Sequence, residues 1–229
     1  MSLVRGDMER RYWERVPTGR EETVPGMARR ALIMAVALAA GLLNGCGATR
    51  PSKYYQLTVP ADAGVVEKPD AVPVTLLLGA LMTSHLYRED RIVYGNGPEQ
   101  LGTYEYQRWA EPPTEMIQEV LLRELRASGR YRAVYYRRSN VRGDFALRGR
   151  LYDFKEVTGR EMSTRVTLEL EMRDLKNGAT VWTHYYTHDE PSSGKDVPSV
   201  VAALDKNVHR GVQEVVESLD RYFASHPVK

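Results

Sequence analysis

The side chains able to do chemistry are few. Five histidines and one cysteine stand in 229 residues, so a metal site built from imidazole and thiolate has little to draw on. His184 and His188 lie in a stretch that reads as a strand and share a face there. Four residues of extended chain still put them about 13 Å apart, too far to share one zinc ion. They read as surface or hairpin histidines, and no metal is expected. Ser192-Ser193-Gly194-Lys195 has the S-x-x-K spacing in which a lysine can activate a serine. It lies among turn formers without the companion motifs and reads as a flexible loop. The carboxylate pairs Glu169/Glu171 and Asp189/Glu190 have no surrounding pattern that implies a cleft to shift a pKa. No phosphate loop, dinucleotide fingerprint or nucleophile elbow occurs. An enzyme is not expected, nor a catalytic residue or cofactor.

The exception is the thiol. Ala31–Leu43 (ALIMAVALAAGLL) is an unbroken apolar run after Arg29-Arg30 and before Asn44-Gly45-Cys46. A basic start, an apolar stretch of roughly 7–15 residues and a small residue before the cut form an export signal. The run is shorter than the roughly 20 residues a spanning helix needs. Leu43-Asn44-Gly45-Cys46 resembles the recognition box of the lipoprotein signal peptidase: Leu43 at −3, Gly45 at −1, Cys46 at +1. In that class the thiol receives a diacylglyceryl group, cleavage follows, and Cys46 becomes the acylated N-terminus. Two or three chains suffice for stable attachment, since each buried CH₂ contributes about 0.8 kcal/mol and one chain alone holds marginally. Gly47 and Ala48 follow; the lack of an Asp there favours the outer membrane, periplasmic face, over inner-membrane retention.

Charge divides at the same place. Residues 1–45 hold seven Arg and five acids, which leaves 25 basic and 25 acidic residues of the chain's 32 and 30. The exported part is formally neutral and lacks the footprint of a phosphate-backbone binder, so nucleic acid is excluded as a partner. Residues 1–26 are charged and without apolar periodicity, and read as a dispensable or mis-called extension. Met27-Ala28-Arg29-Arg30 is a normal signal-peptide start. The expected organisation is an extension over 1–26, a signal peptide over 27–45, a lipidated tether over 46–53 and one domain over 54–226.

Within that domain the apolar run Tyr54–Leu57 is followed by a polar loop, Pro60–Pro73. Val74–Leu81 is apolar on both faces, as a central strand is. Arg91–Tyr94 and Thr103–Trp109, joined through Gly95-Asn96-Gly97-Pro98, read as a hairpin. Glu111-Pro112-Pro113-Thr114 opens a helix with Met116, Ile117, Val120, Leu121 and Leu125 on one stripe; Ser128-Gly129 stops it. Tyr131–Tyr136 returns as a strand. Phe145, Leu147, Gly149 and Leu151, then Val166, Leu168, Leu170 and Met172, alternate with polar residues, the pattern of strands with one buried and one solvated face. Asn177-Gly178 signals a two-residue hairpin turn into Thr180–Thr187. From Val197 to Phe223 apolar residues keep helical spacing over about seven turns. The result is an α+β class: a single domain, mostly antiparallel sheet, two main helices packed on it, TolB-N-like. Tyrosine is over-used, 14 against three Phe, and crowds the first half. Rings with polar tips suit interfaces, which makes Tyr94, Tyr104, Tyr106, Arg108 and Trp109 the candidate partner surface.

Several segments together carry a family resemblance: Tyr54-Tyr55-x-Leu57, Arg91-Ile92-Val93-Tyr94, Tyr104-x-Tyr106-x-Arg108-Trp109-Ala110-Glu111-Pro112-Pro113, a helix, then Gly129-Arg130-Tyr131-Arg132-Ala133-Val134. With the lipidated Cys46 and a long C-terminal helix, they resemble the ABC-type transport auxiliary lipoproteins, the paraquat-inducible protein C type among them. The resemblance implies a non-enzymatic accessory subunit of envelope lipid transport. Its partners would be an MCE-domain protein and an MlaE-like permease with its ATPase, and there is room for a homo-oligomer. It also implies a docking role, with the Arg91–Trp109 hairpin as the surface. Two other classes stay open: a curli- or TolB-like assembly or secretion lipoprotein, and a peptidoglycan-synthase activator. Mass spectrometry of the mature protein should find an acylated N-terminus at Cys46; a mature chain that retains Met1–Gly26 contradicts the export reading.

Overall fold

In the computed structural model, described for residues 26–27, 29–31, 33–35, 50–61, 71–97 and 99–228, an eight-stranded sheet carries two long helices. The strands are β1 (Lys53–Tyr55), β2 (Val72–Thr83), β3 (Arg91–Gly95), β4 (Gly102–Trp109), β5 (Tyr131–Tyr136), β6 (Phe145–Val157), β7 (Ser163–Asp174) and β8 (Thr180–Pro191). The helices are α1 (Pro113–Ala127) and α2 (Val197–Ser225), and a 3-10 turn, His85–Tyr87, joins β2 to β3. The sheet is mostly antiparallel through the long β6–β7–β8 ladders and the β3–β4 hairpin. Shorter parallel pairings add β2 to β5 and β6, β3 to β6, and β1 to β4. Residues Arg50–Lys229 form one compact unit. The described residues of the first unit are helical and exposed. Cys46, Leu43 and Gly45 lie outside the described residues, and among those described no helix is long and apolar enough to cross a membrane.

Both helices pack against the sheet and against each other. On α2, Val200, Leu204, Val208, Val212, Val215 and Leu219 are buried in one core with the inward residues of β7 and β8 and, less, of β6, among them Val166, Leu168, Leu170, Met172, Trp182 and Tyr186. Each such side chain contributes roughly 1.5–3 kcal/mol when removed from water. The helix begins where Asp196 accepts the Ser199 amide at 2.8 Å with Pro198 in the first turn. α1 starts at Pro113 and ends before Gly129, whose φ of 62° suits a residue without Cβ.

A polar group sits inside the α2 stripe. Asn207 has no exposure. Its amide nitrogen donates to the Thr164 and His188 carbonyls at 3.2 and 3.0 Å, and its Oδ1 accepts from Tyr186 Oη at 2.6 Å. One turn on, Gly211 lets the Tyr186 ring lie against the helix; a Cβ there would meet the ring at 2.7 Å. Nearby, the buried Glu190 carboxylate receives Lys206 at 2.5 Å and Arg210 at 3.2 Å. These cations, with His188, hold its pKa below the usual carboxylate range, the Lys206 hydrogen bond being the largest cause.

The expectations differ from the structure at three strand ends. Pro73 lies within β2, at a break in its register with β5, a place where a missing amide is tolerated. The β7–β8 connection is Leu175–Ala179 and not a two-residue turn, because Asp174 and Asn177 side chains bond the loop amides of Lys176 and Ala179 at 2.7 and 2.8 Å. Within it Gly178 takes φ 75°. β8 runs past Thr187 to Pro191, since β7 extends back to Ser163 and pairs with it. Asn207→Ala takes the side-chain donor from the Thr164 and His188 carbonyls and leaves the Tyr186 phenol only the residue 207 carbonyl, and should lower unfolding stability by about 2–4 kcal/mol. Urea denaturation measures this, and a loss under 0.5 kcal/mol would show that the amide does not hold α2 to the sheet.

Candidate functional site

The tyrosine-rich hairpin β3–β4 stands at the β1 side of the sheet, where β1 closes its outer edge in parallel. Tyr54 is opposite Arg108, and Arg108 opposite Arg91, so one row crosses three strands. The row is held by acids on the preceding turn: Arg108 Nη1 donates to Asp90 at 2.8 Å and Arg91 Nε approaches Glu89 at 3.4 Å. Tyr55 Oη donates to Gln107 at 2.8 Å, and the Ala110 amide to the Tyr55 carbonyl at 2.7 Å. The segment that leads into the domain is thereby fixed to the hairpin.

The five expected surface residues do not share one environment. Tyr94 and Tyr104 pack ring on ring at 5.0 Å, both half-buried. Gly102 makes room for Tyr94; a Cβ there would stand 2.5 Å from the ring. Tyr106 and Arg108 are partly exposed, and Tyr54 is 63% exposed. Trp109, by contrast, is 1% exposed and lies against Phe154 at 5.2 Å. It is therefore corrected from a partner contact to a core anchor: it ends β4 and its amide bonds Asp90 O at 2.6 Å. Ring type alone groups it with the tyrosines, but adjacent strand positions face opposite sides, so next to the partly exposed Arg108 it turns inward.

Beneath the tyrosines lies Glu156, 1% exposed, accepting Tyr104 Oη at 2.8 Å. Burial raises its pKa, against the opposing pull of that hydrogen bond. Burial and the same contact raise the Tyr104 phenol. Strict alternation from Phe145 would point Glu156 outward. A register shift between Leu151 and Asp153 inverts the parity and brings it in.

The other chemistry-bearing residues are each engaged separately. His184 and His188 are hairpin histidines, half-buried on β8 of the β7–β8 pair, on the side that faces α2. His184 stacks on Trp182 at 5.8 Å and burial lowers its pKa; His188 approaches Glu190 at 3.3 Å. Asp189 pairs Arg165 twice, at 2.7 and 2.6 Å. Glu169 accepts Tyr152 Oη at 2.7 Å, and Glu171 pairs Arg148. Ser192 Oγ donates to the Gly194 carbonyl at 2.7 Å, within its loop. Among the described residues no three His, Cys, Asp or Glu converge on a metal-sized site.

Residues 55–216 match the family model of the ABC-type transport auxiliary lipoprotein component. The chain belongs to that family. The fold is similar to the crystal structure of protein XCC0632 from Xanthomonas campestris, with 23% identity, TM-score 0.61, and 72% of this chain and 92% of that one covered. An uncharacterized protein of known crystal structure is similar at 12% identity and TM-score 0.59, over 74% of this chain and 99% of that one. No curated protein matches the chain. As an auxiliary lipoprotein component, the chain is associated with an ABC transport system, a role that points away from catalysis.

For the auxiliary lipoprotein, the buried carboxylate gives a pH signature. A raised folded-state pKa means that the stabilising contribution is complete below the unfolded value and is lost as pH rises through the folded one. Glu156→Gln keeps an acceptor for Tyr104. It should gain stability over the parent progressively above about pH 4.3, the unfolded carboxyl value. Parallel stability curves for the two proteins between pH 4 and 8 would contradict the assignment.

Proposed function

We propose that this auxiliary lipoprotein is anchored through lipidated Cys46 at the periplasmic face of the outer membrane and docks an envelope lipid-transport assembly there. In this reading the assembly comprises an MCE-domain protein, an MlaE-like permease and its ATPase, and the lipid movement is their work. The observation that carries the reading is the row Tyr54–Arg108–Arg91, with Tyr106 beside it. It is a partly exposed, aromatic and cationic surface whose backbone is tied on one side to β1 and on the other to the core through Trp109. Rigid aromatic and arginine side chains are the residue types that dominate protein interfaces.

Position supports it as well. From Cys46 to Lys53 the chain advances seven residues, and at 3.3–3.6 Å each a lipidated Cys46 keeps β1 within about 25 Å of the bilayer. The surface next to β1 then faces partners that arrive at the membrane. The family's auxiliary standing in ABC transport supports a docking role over a catalytic one.

Two outcomes follow. Cys46→Ser should leave folding unchanged and move the protein from the membrane to the soluble envelope fraction; a variant that stays in the membrane fraction overturns the anchor. Tyr106→Ala with Arg108→Ala should lower co-purification of the MCE-domain protein from crosslinked envelopes by about tenfold or more, as loss of two central contacts does. Undiminished recovery overturns the docking surface.

A further inference from the structure

The row of strands outside β2 and β3 has a gap. β5 lies beside β2 only as far as Tyr136, opposite Leu78, and the Arg137 amide makes a last bond to the Leu78 carbonyl at 2.8 Å. β4 lies beside β3. Between them Gly79–Thr83 pairs with β6 on one side and, among the described residues, with no strand on the other. The gap starts at a bulge: Leu78 is opposite Leu147 but Leu81 is opposite Gly149, an extra residue in β2 at the point where β5 departs. Bulges end pairing and re-aim side chains in this way. A cavity of about 640 Å³ opens here, with Leu78, Ala80 and Leu81 on its floor.

The walls are charged and differ in sign. Glu111 and Glu115 line the α1 side, both exposed and with no ion-pair partner among the described residues. Glu119, one turn further along α1, closes the β5 end by accepting the Tyr136 hydroxyl and Arg123. Arg137 and Arg138 line that same end, Arg138 over the Tyr136 ring at 5.1 Å.

We propose that this notch takes an extended segment of a partner protein as an added strand along Gly79–Thr83, with a basic side chain against Glu111 and Glu115. An unpaired edge supplies main-chain hydrogen bonds, and flanking pockets select alternate side chains. Five residues at roughly 3.3 Å each give a slot of about 17 Å, enough for one short strand. Because β5 and β4 stand on either side, the same edge of a second copy cannot reach in; a single thread can. The charge selects it: two carboxylates with no ion-pair partner among the described residues line one wall, and the arginines stand at one end only, which suits an acidic group at that end of the thread. This interface is separate from the β3–β4 row and does not depend on it.

The test uses the mature protein and two capped peptides, one alternating valine and lysine, the other valine and glutamate. Hydrogen exchange should show notch-facing amides of Gly79–Thr83 exchanging fast alone and slowed by the lysine peptide. Glu111→Gln with Glu115→Gln should weaken that peptide about tenfold while leaving Tyr106/Arg108-dependent recovery of the transport partner unchanged. N-methylation of the peptide backbone should abolish the protection. The proposal is overturned if neither peptide protects these amides, if the glutamate peptide protects equally, if the double variant binds as the parent does, or if the methylated peptide still protects. Protection that rises with protein concentration alone would assign the notch to a second copy and would also overturn it.

Discussion

One buried amide sets the relation between the long helix and the sheet. Asn207 lies in the middle of the α2 apolar stripe and bonds the ends of β7 and β8 together with the Tyr186 phenol. Apolar packing alone tolerates sliding, because Val and Leu side chains present similar surfaces from one turn to the next. A fully satisfied buried polar group does not, since a shift of one turn leaves donors and acceptors without partners in a low-dielectric interior. Ala203, Asn207 and Gly211 form a row of small side chains, and the Tyr186 ring fits against its end at Gly211. The register of α2 is fixed there, and the ion cluster at Glu190 reinforces it at the same end.

With α2 placed on β7 and β8, β6 is held along its length by its ladder with β7, and β6 is the strand on which both halves of the remaining sheet rest. It carries β2 on its first half and β3 on its last three residues. The hairpin therefore owes its position to β6 twice: once through pairing, and again through Phe154 and Glu156, which receive Trp109 and Tyr104. The aromatic and arginine residues around the hairpin thus divide into two layers. Trp109 and Tyr104 hold the hairpin from within, and Tyr54, Tyr106 and Arg108 are left on its surface. Such support keeps surface side chains pre-ordered, which reduces the entropy lost on binding.

The legible parts of the sequence were those where periodicity ran uninterrupted. α1, α2 and the inward residues of β7 follow their patterns closely. The central place of Val74–Leu81 was legible because a strand apolar on both faces needs cover on both. What escaped did so for identifiable reasons. Parallel pairing of β2 with two non-adjacent strands leaves no local trace. A bulge near Tyr152 inverts the period-2 parity, which hid Glu156, and ring type groups Trp109 with the tyrosines although it adjoins the outward Arg108. Asn207 carried no signal in the sequence because its carbonyl partners lie 19 and 43 positions away. The reading of Cys46 rests on its local motif alone, since the family match over residues 55–216 starts after it.

The central claim is that this lipoprotein presents a rigid hairpin to a membrane transport partner while the broad outer face of its sheet stays in solvent. Site-specific photocrosslinking in intact envelopes tests it most directly, with a photoreactive residue at Tyr106 on the hairpin or at Tyr185, 61% exposed on the outer face. The account predicts an adduct with the MCE-domain protein from position 106 and none from position 185. An adduct from 185 and not from 106, or from neither, would contradict it.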